Sequence, residues 1–368
     1  MERIMQINAG SKFGGVSAMI YNFYKHINRD KFQFDFVAPY KSSFEMYRGE
    51  IEEMGGCIIE LGVEGKGIDY NQKLYRKVLE LCQRNRYQTI HIHSGYSVFN
   101  YVVAMAAKKA GVQRIIIHSH NAGNVQKKDI IYAKVLAPQI GRIATECFAC
   151  SMAAGKFMFT SKMVNSNKFR VINNGIEVSR FVFDSDKRNE IRQKYYLEQN
   201  YVIGHVGRFT AQKNHGFLLK VFKSIWKNNP EARLMLVGAG ELENNIHLQA
   251  TELGIEQYII YTGLVKNVNE LYSAMDIFVL PSLFEGLPVV GVEAQASGLK
   301  CVFSENVTPE VLLTPYCSRL SLSEDIEVWS KEIMQGSVID RRKSIDLIQK
   351  RGFDIDDVVD YLEQIYSL

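Results

Sequence analysis

Two glutamates lie in the segment LFEGLPVVGVEAQASG, at positions 285 and 293. Glu285 follows an apolar run, and Glu293 stands inside another one, where an unpaired carboxylate is costly to bury. Pro288 suits the first turn of a helix and Gly298 suits its end, so we predict a short helix between them. Carboxylates placed there accept hydrogen bonds from vicinal hydroxyls such as those of ribose and hexose rings, and a helix start favours a phosphate.

Two cations follow a second apolar run, in the segment IGHVGRFTAQKNHGFLLKVF. Arg208 comes directly after Gly207, and Lys213 stands further along, in the loop before a helix-like stretch. Two fixed cations on one strand-to-helix loop suit a pyrophosphate. The alternative is an exposed loop with ordinary charges.

Two glycine-rich turns give less specific signals. Gly14 and Gly15 precede a helix-like stretch, where helix-start amides favour an anion, although a tight turn also explains the pair. Gly238 and Gly240 follow an apolar run but lack the third glycine of a dinucleotide-binding loop. We therefore interpret them as a turn rather than as a nicotinamide site.

Two histidine pairs, His91 with His93 and His118 with His120, each fall on one face of a predicted strand, near its carboxyl end. Such pairs occur in metal hydrolases, but those sites also need an acidic ligand, and this half of the chain offers no convincing one. We expect one histidine to act on a sugar or phosphate and at least two to be structural. A metal-dependent hydrolase remains an alternative.

Strand-like and helix-like segments alternate, and the pattern starts near residue 3 and again near residue 201. This predicts an α/β fold with two doubly wound, Rossmann-like domains facing each other across a cleft, with ligands outside the carboxyl ends of the strands. We predict domains at residues 1–175 and 176–350. A C-terminal helix within 351–368 is expected to pack back on the first domain.

The composition fits a globular protein, with 46% hydrophobic and 23% charged residues. The start does not resemble a signal peptide, no apolar run approaches a bilayer span, and the six cysteines are interpreted as reduced, buried thiols. A cytoplasmic location is therefore expected. Residues 101–170 hold eleven basic and two acidic side chains, which suggests docking to an anionic membrane surface or simply a solvated face.

Several segments together resemble one family. FEGLPVVGVEAQASGLKCV resembles the EX7E motif of retaining glycosyltransferases of family 4, which have the GT-B fold. VINNGIEVSRF resembles their domain join, GRFTAQKNH their donor-phosphate loop, VGAGELE their Gly-x-Gly turn and NAGSKFGGVS their first glycine loop. HSHN is typical of the exopolysaccharide and capsular polysaccharide members. The likeness runs from residue 3 to about residue 305.

The resemblance implies roles by position. Glu293 would bind the ribose hydroxyls, and Glu285 would hold the donor sugar or its developing charge. Arg208 and Lys213 would neutralise the leaving diphosphate, and His120, in preference to His118, would be the catalytic-site histidine at the donor sugar. The remaining donor-binding positions are Gly14, Gly15, Gly240, Gly286 and Leu287. The chain departs from the family at Ser17, where many members have glutamate, which weakens an acceptor contact there.

We therefore expect a retaining transferase that moves a hexose from a nucleotide sugar, expected to be a UDP-sugar, to a glycan or polyprenyl-pyrophosphate-linked acceptor in bacterial surface polysaccharide biosynthesis. The first domain would bind the acceptor and the second the donor. No metal or other cofactor is expected, and nucleic acid is not an expected partner. The alternatives are an epimerase of the same fold, the metal hydrolase, and a non-catalytic binding module.

Overall fold

The computed structural model describes residues 1–10, 14–120, 127–335 and 340–367. The chain divides into two compact units. The first unit comprises Met1–Gly175 with Ile355–Leu368, and the second comprises Ile176–Asp354. Each is an α/β unit built on its own parallel sheet.

The first unit is built on a sheet of seven strands. They are β1 (Glu2–Asn8), β2 (Phe32–Ala38), β3 (Cys57–Glu60), β4 (Thr89–His93), β5 (Arg114–Ser119), β6 (Glu146–Ala149) and β7 (Phe169–Val171). All pairings are parallel, in the order β3-β2-β1-β4-β5-β6-β7. The central strands are buried on both faces, which explains why their sequences are apolar runs rather than alternating patterns.

Helices cover both faces of this sheet. They are α1 (Gly15–His26), α2 (Arg48–Glu53), α3 (Gly67–Asn85), α4 (Ser97–Ala110), α5 (Lys127–Ile143), α6 (Met152–Met158) and α7 (Ser161–Val164). One apolar core contains side chains of α3 and α4 with Ile90 and Ile92 of β4. Because side chains alternate along a strand, His91 and His93 point to the opposite face.

The second unit repeats this plan with six strands. They are β8 (Tyr201–Val206), β9 (Ala232–Val237), β10 (Ile259–Gly263), β11 (Ile277–Leu280), β12 (Lys300–Ser304) and β13 (Cys317–Leu320). All pairings are parallel again, in the order β10-β9-β8-β11-β12-β13.

The helices of the second unit follow the same arrangement. They are α8 (Ser185–Lys194), α9 (His215–Asn228), α10 (Glu243–Glu252), α11 (Val268–Ala274), α12 (Val289–Ala296), α13 (Ile326–Met334) and α14 (Ser344–Lys350). One core unites side chains of α8, α11, α12 and α14 with one face of the sheet, and a second core lies under α9, α10 and α13.

The last helix, α15 (Ile355–Ser367), belongs to the first unit. Its apolar residues recur at helical spacing and are buried in a core that also contains Ile4, Phe34 and Ile116 of the sheet and side chains of α1. Tyr366, in the last turn, is fully buried against this face. The chain therefore returns to its first unit after completing the second.

Two strands were not predicted from the sequence, namely β7 and β13. Both are short and partly exposed edge strands, so neither carries the continuous apolar run of a central strand. The expectation that all cysteines are buried was wrong at Cys57, which is exposed on β3, and at Cys317, which is only partly buried. Among the helices of the described ranges, none combines the length and apolar character needed to cross a bilayer.

Candidate functional site

The candidate residues of both units lie where the strand order of a sheet reverses. In the first sheet the reversal is between β1 and β4, and in the second it is between β8 and β11. Open α/β sheets bind ligands outside the carboxyl ends of the strands at such a point, because the loops on either side diverge there. Asn8 and His93 end the first pair of strands, and Arg208 and Glu285 follow the second pair.

The loop after β8 carries Arg208 and Lys213. Gly207 leaves room for the Lys213 side chain, because a Cβ at position 207 would lie 3.0 Å from its Cε atom. The loop then makes a short turn at Ala211–Lys213 and enters α9. Arg208 is exposed, whereas only 14% of the Lys213 side chain is accessible.

This loop is hydrogen-bonded to the loop that follows β11. The backbone N–H of Leu283 donates to the carbonyl of Gln212 at 2.8 Å, and the Gln212 side chain donates to the carbonyl of Phe284 at 2.9 Å. Asn214 donates to the carbonyl of Pro281 at 3.2 Å. The two loops therefore form one unit of structure, although some 70 residues separate them in sequence.

Lys213 and Glu285 form the central ion pair of this edge. The Nζ atom of Lys213 lies 2.6 Å from Oε1 of Glu285, whose side chain is only 11% accessible. The Ser282 hydroxyl donates to the same oxygen at 3.1 Å. A buried pair loses hydration, and removing one partner leaves the other charge uncompensated, so the pair fixes both side chains in place.

Glu293 lies in the second turn of α12, and Tyr272 of α11 holds it. The buried Tyr272 hydroxyl donates to Oε2 of Glu293 at 2.9 Å and lies 3.2 Å from the carbonyl oxygen of Val290. Burial raises the pKa of Glu293 from its usual 4.5 to about 7, against the opposing effects of this hydrogen bond and of the Arg180 charge. The pKa of this carboxyl group therefore lies close to neutral pH, and the Glu293 residue as a whole is partly exposed.

The predicted glycines differ in what surrounds them. A Cβ at Gly240 would lie 2.5 Å from the carbonyl oxygen of Phe209, and one at Gly238 would lie 2.1 Å from that of Gly207. Both glycines therefore let their turn pack against the Arg208 loop. Gly286 has open space where a Cβ would point, whereas Leu287 is buried in the core.

The first unit holds a cavity of about 240 Å³ at its own reversal point. Gly14 and Gly15 line it, and α1 begins at Gly15. The other residues lining it are Asn8, Ala9, Gly10, Val16, Ser17, His93, Ser94, Gly95, Tyr96 and His120. Ser17 is itself buried and hydrogen-bonded to Ser43 at 2.8 Å and to Asn8 at 3.2 Å. Asn121, the last residue of the HSHN motif, lies outside the described residues.

The four histidines form one stack on the α15 side of the sheet. His93 and His118 are register partners on β4 and β5, and the rings of His118 and His120 lie 4.2 Å apart, centroid to centroid. Nδ1 of His93 lies 3.2 Å from Nε2 of His120. Of the four, His93 and His120 line the cavity, and His91, His93 and His118 are all fully buried as residues.

Burial makes these imidazoles neutral. It lowers the pKa of His120 to about 3, and it lowers the pKa values of His91, His93 and His118 well below their usual range, with the neighbouring imidazoles adding to the effect. Ligand nitrogens of His91, His93 and His118 lie within 4.8 Å of one another, which is a possible metal arrangement. Both nitrogens of His93, however, already have hydrogen-bonding partners, and no carboxylate belongs to the group among the described residues.

Three residues of these sites were missed by reasoning from sequence, namely Tyr272, Gln6 and Tyr366. Tyr272 lies in an apolar helix and Gln6 in an apolar strand, so neither stands out as more than a core position. The helical periodicity of α15 indicates that Tyr366 is buried but not what its hydroxyl contacts. No sequence signal would have identified their partners.

Known proteins match this chain along its whole length. Residues 13–180 match Glycosyltransferase Family 4, and residues 187–335 match Glycosyl transferases group 1. EpsF of Bacillus subtilis (strain 168), which bears the name of a glycosyltransferase, is 31% identical, with 100% of this chain and 97% of that protein covered.

Two further proteins extend the comparison. A UDP-Gal:alpha-D-GlcNAc-diphosphoundecaprenol alpha-1,3-galactosyltransferase of Escherichia coli is 28% identical, over 61% of this chain and 59% of its own. The crystal structure of Anabaena HepE in complex with UDP-glucose superposes with a TM-score of 0.77 at 18% identity, covering 100% of both chains. The HepE likeness shows the fold, which is that of two parallel-sheet α/β units.

Proposed function

Since the chain belongs to the glycosyltransferases with family 4 and group 1 domains, we propose that it transfers a hexose from a UDP-sugar with retention of configuration at the anomeric carbon. The proposed acceptor is a glycan or a polyprenyl-pyrophosphate-linked glycan of a bacterial surface polysaccharide. The proposed reaction uses no metal ion.

The observation that carries this proposal is the Lys213–Glu285 pair at the reversal point of the second sheet. Lys213 has three N–H donors and uses one of them on Glu285 at 2.6 Å, which leaves the ammonium group able to bind a phosphate oxygen. Arg208 lies on the same loop and offers a planar fork for a second oxygen. Cations placed on this loop before the reaction would stabilise the charge that develops on a leaving diphosphate.

Glu293 is proposed to bind the ribose. The Tyr272 hydroxyl holds Oε2 of Glu293 at 2.9 Å and the residue is partly exposed, so Oε1 is proposed to accept hydrogen bonds from the two vicinal hydroxyls. Glu285 is proposed to hold the donor sugar, with Gly286 and Leu287 presenting backbone groups beside it. Gly240 shapes the Arg208 loop, and Gly14 with Gly15 would offer amides to the diphosphate.

The proposed step breaks the bond between the anomeric carbon and the oxygen of the β-phosphate. The acceptor oxygen forms the new bond on the face that the leaving group vacates, and its proton passes to the departing diphosphate. Glu285 is engaged by Lys213 and Ser282 rather than free to attack, which favours this same-face route over a covalent glycosyl intermediate. His120 is proposed to contact the donor sugar.

The nature of donor and acceptor is proposed from the relatives. HepE was crystallised with UDP-glucose, and the name of the E. coli relative specifies a UDP-galactose donor and a diphosphoundecaprenol-linked acceptor. EpsF, which bears the name of a glycosyltransferase, matches this chain along its full length, which supports a transferase function for the whole chain.

A donor screen tests the proposal. Titration calorimetry with UDP-, GDP- and ADP-sugars should show binding of a UDP-sugar, and NMR of the product should show the donor's anomeric configuration retained in the new linkage. Inverted product would refute the mechanism, and preference for another base would refute the donor. Isomerisation of the donor alone would identify an epimerase, and binding without transfer to any acceptor would identify a binding module.

An anionic membrane surface is proposed as a further partner, on the outer face of α5. Ile131, Tyr132 and Val135 are exposed there, at 62%, 48% and 58%. Lys134 and Arg142 are exposed on the same helix. Apolar side chains next to cations suit the interface of an anionic bilayer, which is where a polyprenyl-linked acceptor would be found.

Co-sedimentation with liposomes tests this surface. The protein should bind vesicles that contain phosphatidylglycerol and not vesicles of phosphatidylcholine, and the double substitution Ile131→Ser with Val135→Ser should weaken that binding. The control substitutes Leu248 and Leu264, which are exposed at 63% and 83% in the second unit, with serine. Equal binding to both vesicle types would refute the proposal.

A further inference from the structure

A chain of hydrogen bonds connects the cavity of the first unit to the C-terminal helix. Nε2 of His120 lies 3.2 Å from Nδ1 of His93, and Nε2 of His93 lies 2.7 Å from Oε1 of Gln6. The side-chain amide of Gln6 donates to the Tyr366 hydroxyl at 3.2 Å, and that hydroxyl lies 2.7 Å from Nδ1 of His91. Gln6, His93 and Tyr366 are buried, so water does not compete for these bonds.

The direction of the protons along this chain follows from the Gln6 amide. Its oxygen can only accept, so the proton on His93 is at Nε2 and the lone pair is at Nδ1. His120 must then donate from Nε2, which leaves its own Nδ1 without a proton. Tyr366 accepts a hydrogen bond from the Gln6 amide nitrogen, and its own hydroxyl can then donate to Nδ1 of His91.

Because these imidazoles are neutral, the hydrogen bonds determine which nitrogen of each ring carries its single proton, and not the charge of the ring. Burial lowers the pKa of His120 to about 3 and that of His93 well below its usual range, so both rings hold a single proton throughout the physiological range. The two tautomers of an isolated imidazole are both accessible, and the hydrogen bond at one nitrogen selects which is present. Because Gln6 determines which nitrogen of His93 carries the proton, it also determines whether Nδ1 of His120 accepts or donates a hydrogen bond to a ligand.

We propose that Gln6 and Tyr366 are positioning residues that hold His120 in its Nε2–H form, so that Nδ1 accepts a hydrogen bond from a sugar hydroxyl in the cavity. This deepens the proposed transferase function and rests on it. A group that can only accept, such as a carboxylate, would meet a lone pair at this nitrogen, so the site selects a neutral hydroxyl-bearing ligand. The C-terminal helix thus takes part in the first unit's site from outside the cavity.

The chain contains a matched control for this proposal. The Tyr24 hydroxyl donates to Oε1 of Gln33 at 2.6 Å, and both residues are buried in the first unit, but neither contacts a histidine of the stack. Tyr24→Phe and Gln33→Met therefore remove the same groups as Tyr366→Phe and Gln6→Met. A general loss of core hydrogen bonding would affect both pairs alike.

NMR of the full chain labelled with ¹⁵N-histidine tests the tautomer directly. Long-range ¹H–¹⁵N correlations should show His120 protonated at Nε2, with its signals assigned by their loss in His120→Gln. Tyr366→Phe and Gln6→Met should shift them toward the Nδ1–H form, and the Tyr24 and Gln33 variants should leave them unchanged. An Nδ1–H signal in the unsubstituted protein, or equal shifts in the control variants, would overturn the proposal.

Turnover measurements separate this inference from the proposed function. With the UDP-sugar found in the donor screen, Tyr366→Phe should lower kcat about tenfold, as loss of a partner that orients a functional histidine does. The UDP affinity and the melting temperature should match those of Tyr24→Phe. Equal kcat values in the two variants would overturn the role in turnover. If no UDP-sugar is turned over, the proposed function fails, while the NMR result still decides the tautomer.

Discussion

The two units share one topology, but their reversal points carry opposite kinds of polar group. The second unit presents ions, with Arg208, Lys213, Glu285 and Glu293 near the ends of β8 and β11. The described residues that line the cavity of the first unit are all uncharged at neutral pH, because burial keeps the imidazoles of His93 and His120 neutral. The sheet determines where a ligand binds, and the side chains at that point determine its chemistry.

This difference assigns the two halves of a glycosyl transfer. A diphosphate leaving group needs fixed cations, and the second unit holds Lys213 in place with Glu285 and Ser282. Neutral donors and acceptors can also bind sugar hydroxyls, and the first unit supplies such groups through His120 and the other residues that line its cavity. If the comparison is correct, removing the cations of the second unit changes nucleotide affinity and leaving-group stabilisation, whereas removing His120 from the first unit changes turnover alone.

The largest effect is expected from the double substitution Arg208→Ala with Lys213→Ala. It removes both cations from the proposed leaving group and leaves Glu285 buried without its partner. Loss of one preorganised group that stabilises developing charge typically costs about 10²–10³ in kcat, so the double variant should lose at least about 10³. Single-turnover rates with the UDP-sugar found in the donor screen measure the loss.

The control for this experiment is Lys220→Ala with Lys227→Ala, which removes the same charge from exposed positions on α9. Its rate should stay within about twofold of the unsubstituted protein, because exposed charges contribute little. A double variant of Arg208 and Lys213 that keeps nearly full activity would remove both cations from the mechanism.

A smaller effect is expected at His120. His120→Ala removes the proposed sugar contact from the first unit and should lower kcat about 10²-fold, within the range for loss of a positioned polar side chain. The affinity for UDP should change less than twofold, because His120 is proposed to contact the sugar and not the nucleotide. Calorimetry with UDP measures that affinity, and a parallel loss of UDP binding and kcat would contradict the division between the units.

The sequence predicted more of the second site than of the first. Arg208, Lys213 and Glu285 could be placed from their positions after apolar strands, because parallel strands bring such loops to one sheet edge. The ion pair between Lys213 and Glu285 could not be predicted, since it depends on side-chain directions in two loops that are far apart in sequence.

In the first unit the histidine pairs were visible as a pattern, but their function was not. The pattern HxH shows that two histidines lie on the same face of a strand, but it does not show what each ring nitrogen contacts. The partners are Gln6, on a neighbouring strand, and Tyr366, which is 275 residues from His91 along the chain. Both look like core residues, so the sequence could not show which hydrogen bonds the histidine stack makes.

The affinity for the UDP-sugar should rise with pH because of Glu293. Its pKa is raised to about 7, so the carboxyl group is mostly protonated at pH 6 and mostly ionised at pH 8, and only the ionised form accepts two strong hydrogen bonds from ribose. The gain between these pH values should be at most about tenfold. Glu293→Gln should bind more weakly at pH 8 and show no such rise.

The same ionisation has the opposite effect on stability. A carboxyl group whose pKa rises on folding binds its proton more tightly in the folded chain, so its contribution to the free energy of unfolding falls as pH rises from about 4.5 to about 7. Between pH 6 and pH 7 the nucleotide affinity should therefore rise while the Glu293 contribution to stability falls, which the difference in melting temperature between the unsubstituted protein and Glu293→Gln measures. An affinity that stays flat in the unsubstituted protein would separate Glu293 from the ribose.

The smallest effect is expected from a chelator. Arg208 and Lys213 are proposed to neutralise the diphosphate without a metal ion, and in the histidine stack both nitrogens of His93 are committed to Gln6 and His120. Binding an ion at His91, His93 and His118 would break one of those bonds and place its charge among neutral ligands. Turnover after treatment with EDTA should stay within about twofold of the untreated rate. If EDTA abolishes the activity, zinc restores it and elemental analysis finds one metal ion per chain, the first unit contains a charged metal site. The contrast between a charged second unit and an uncharged first unit would then be wrong.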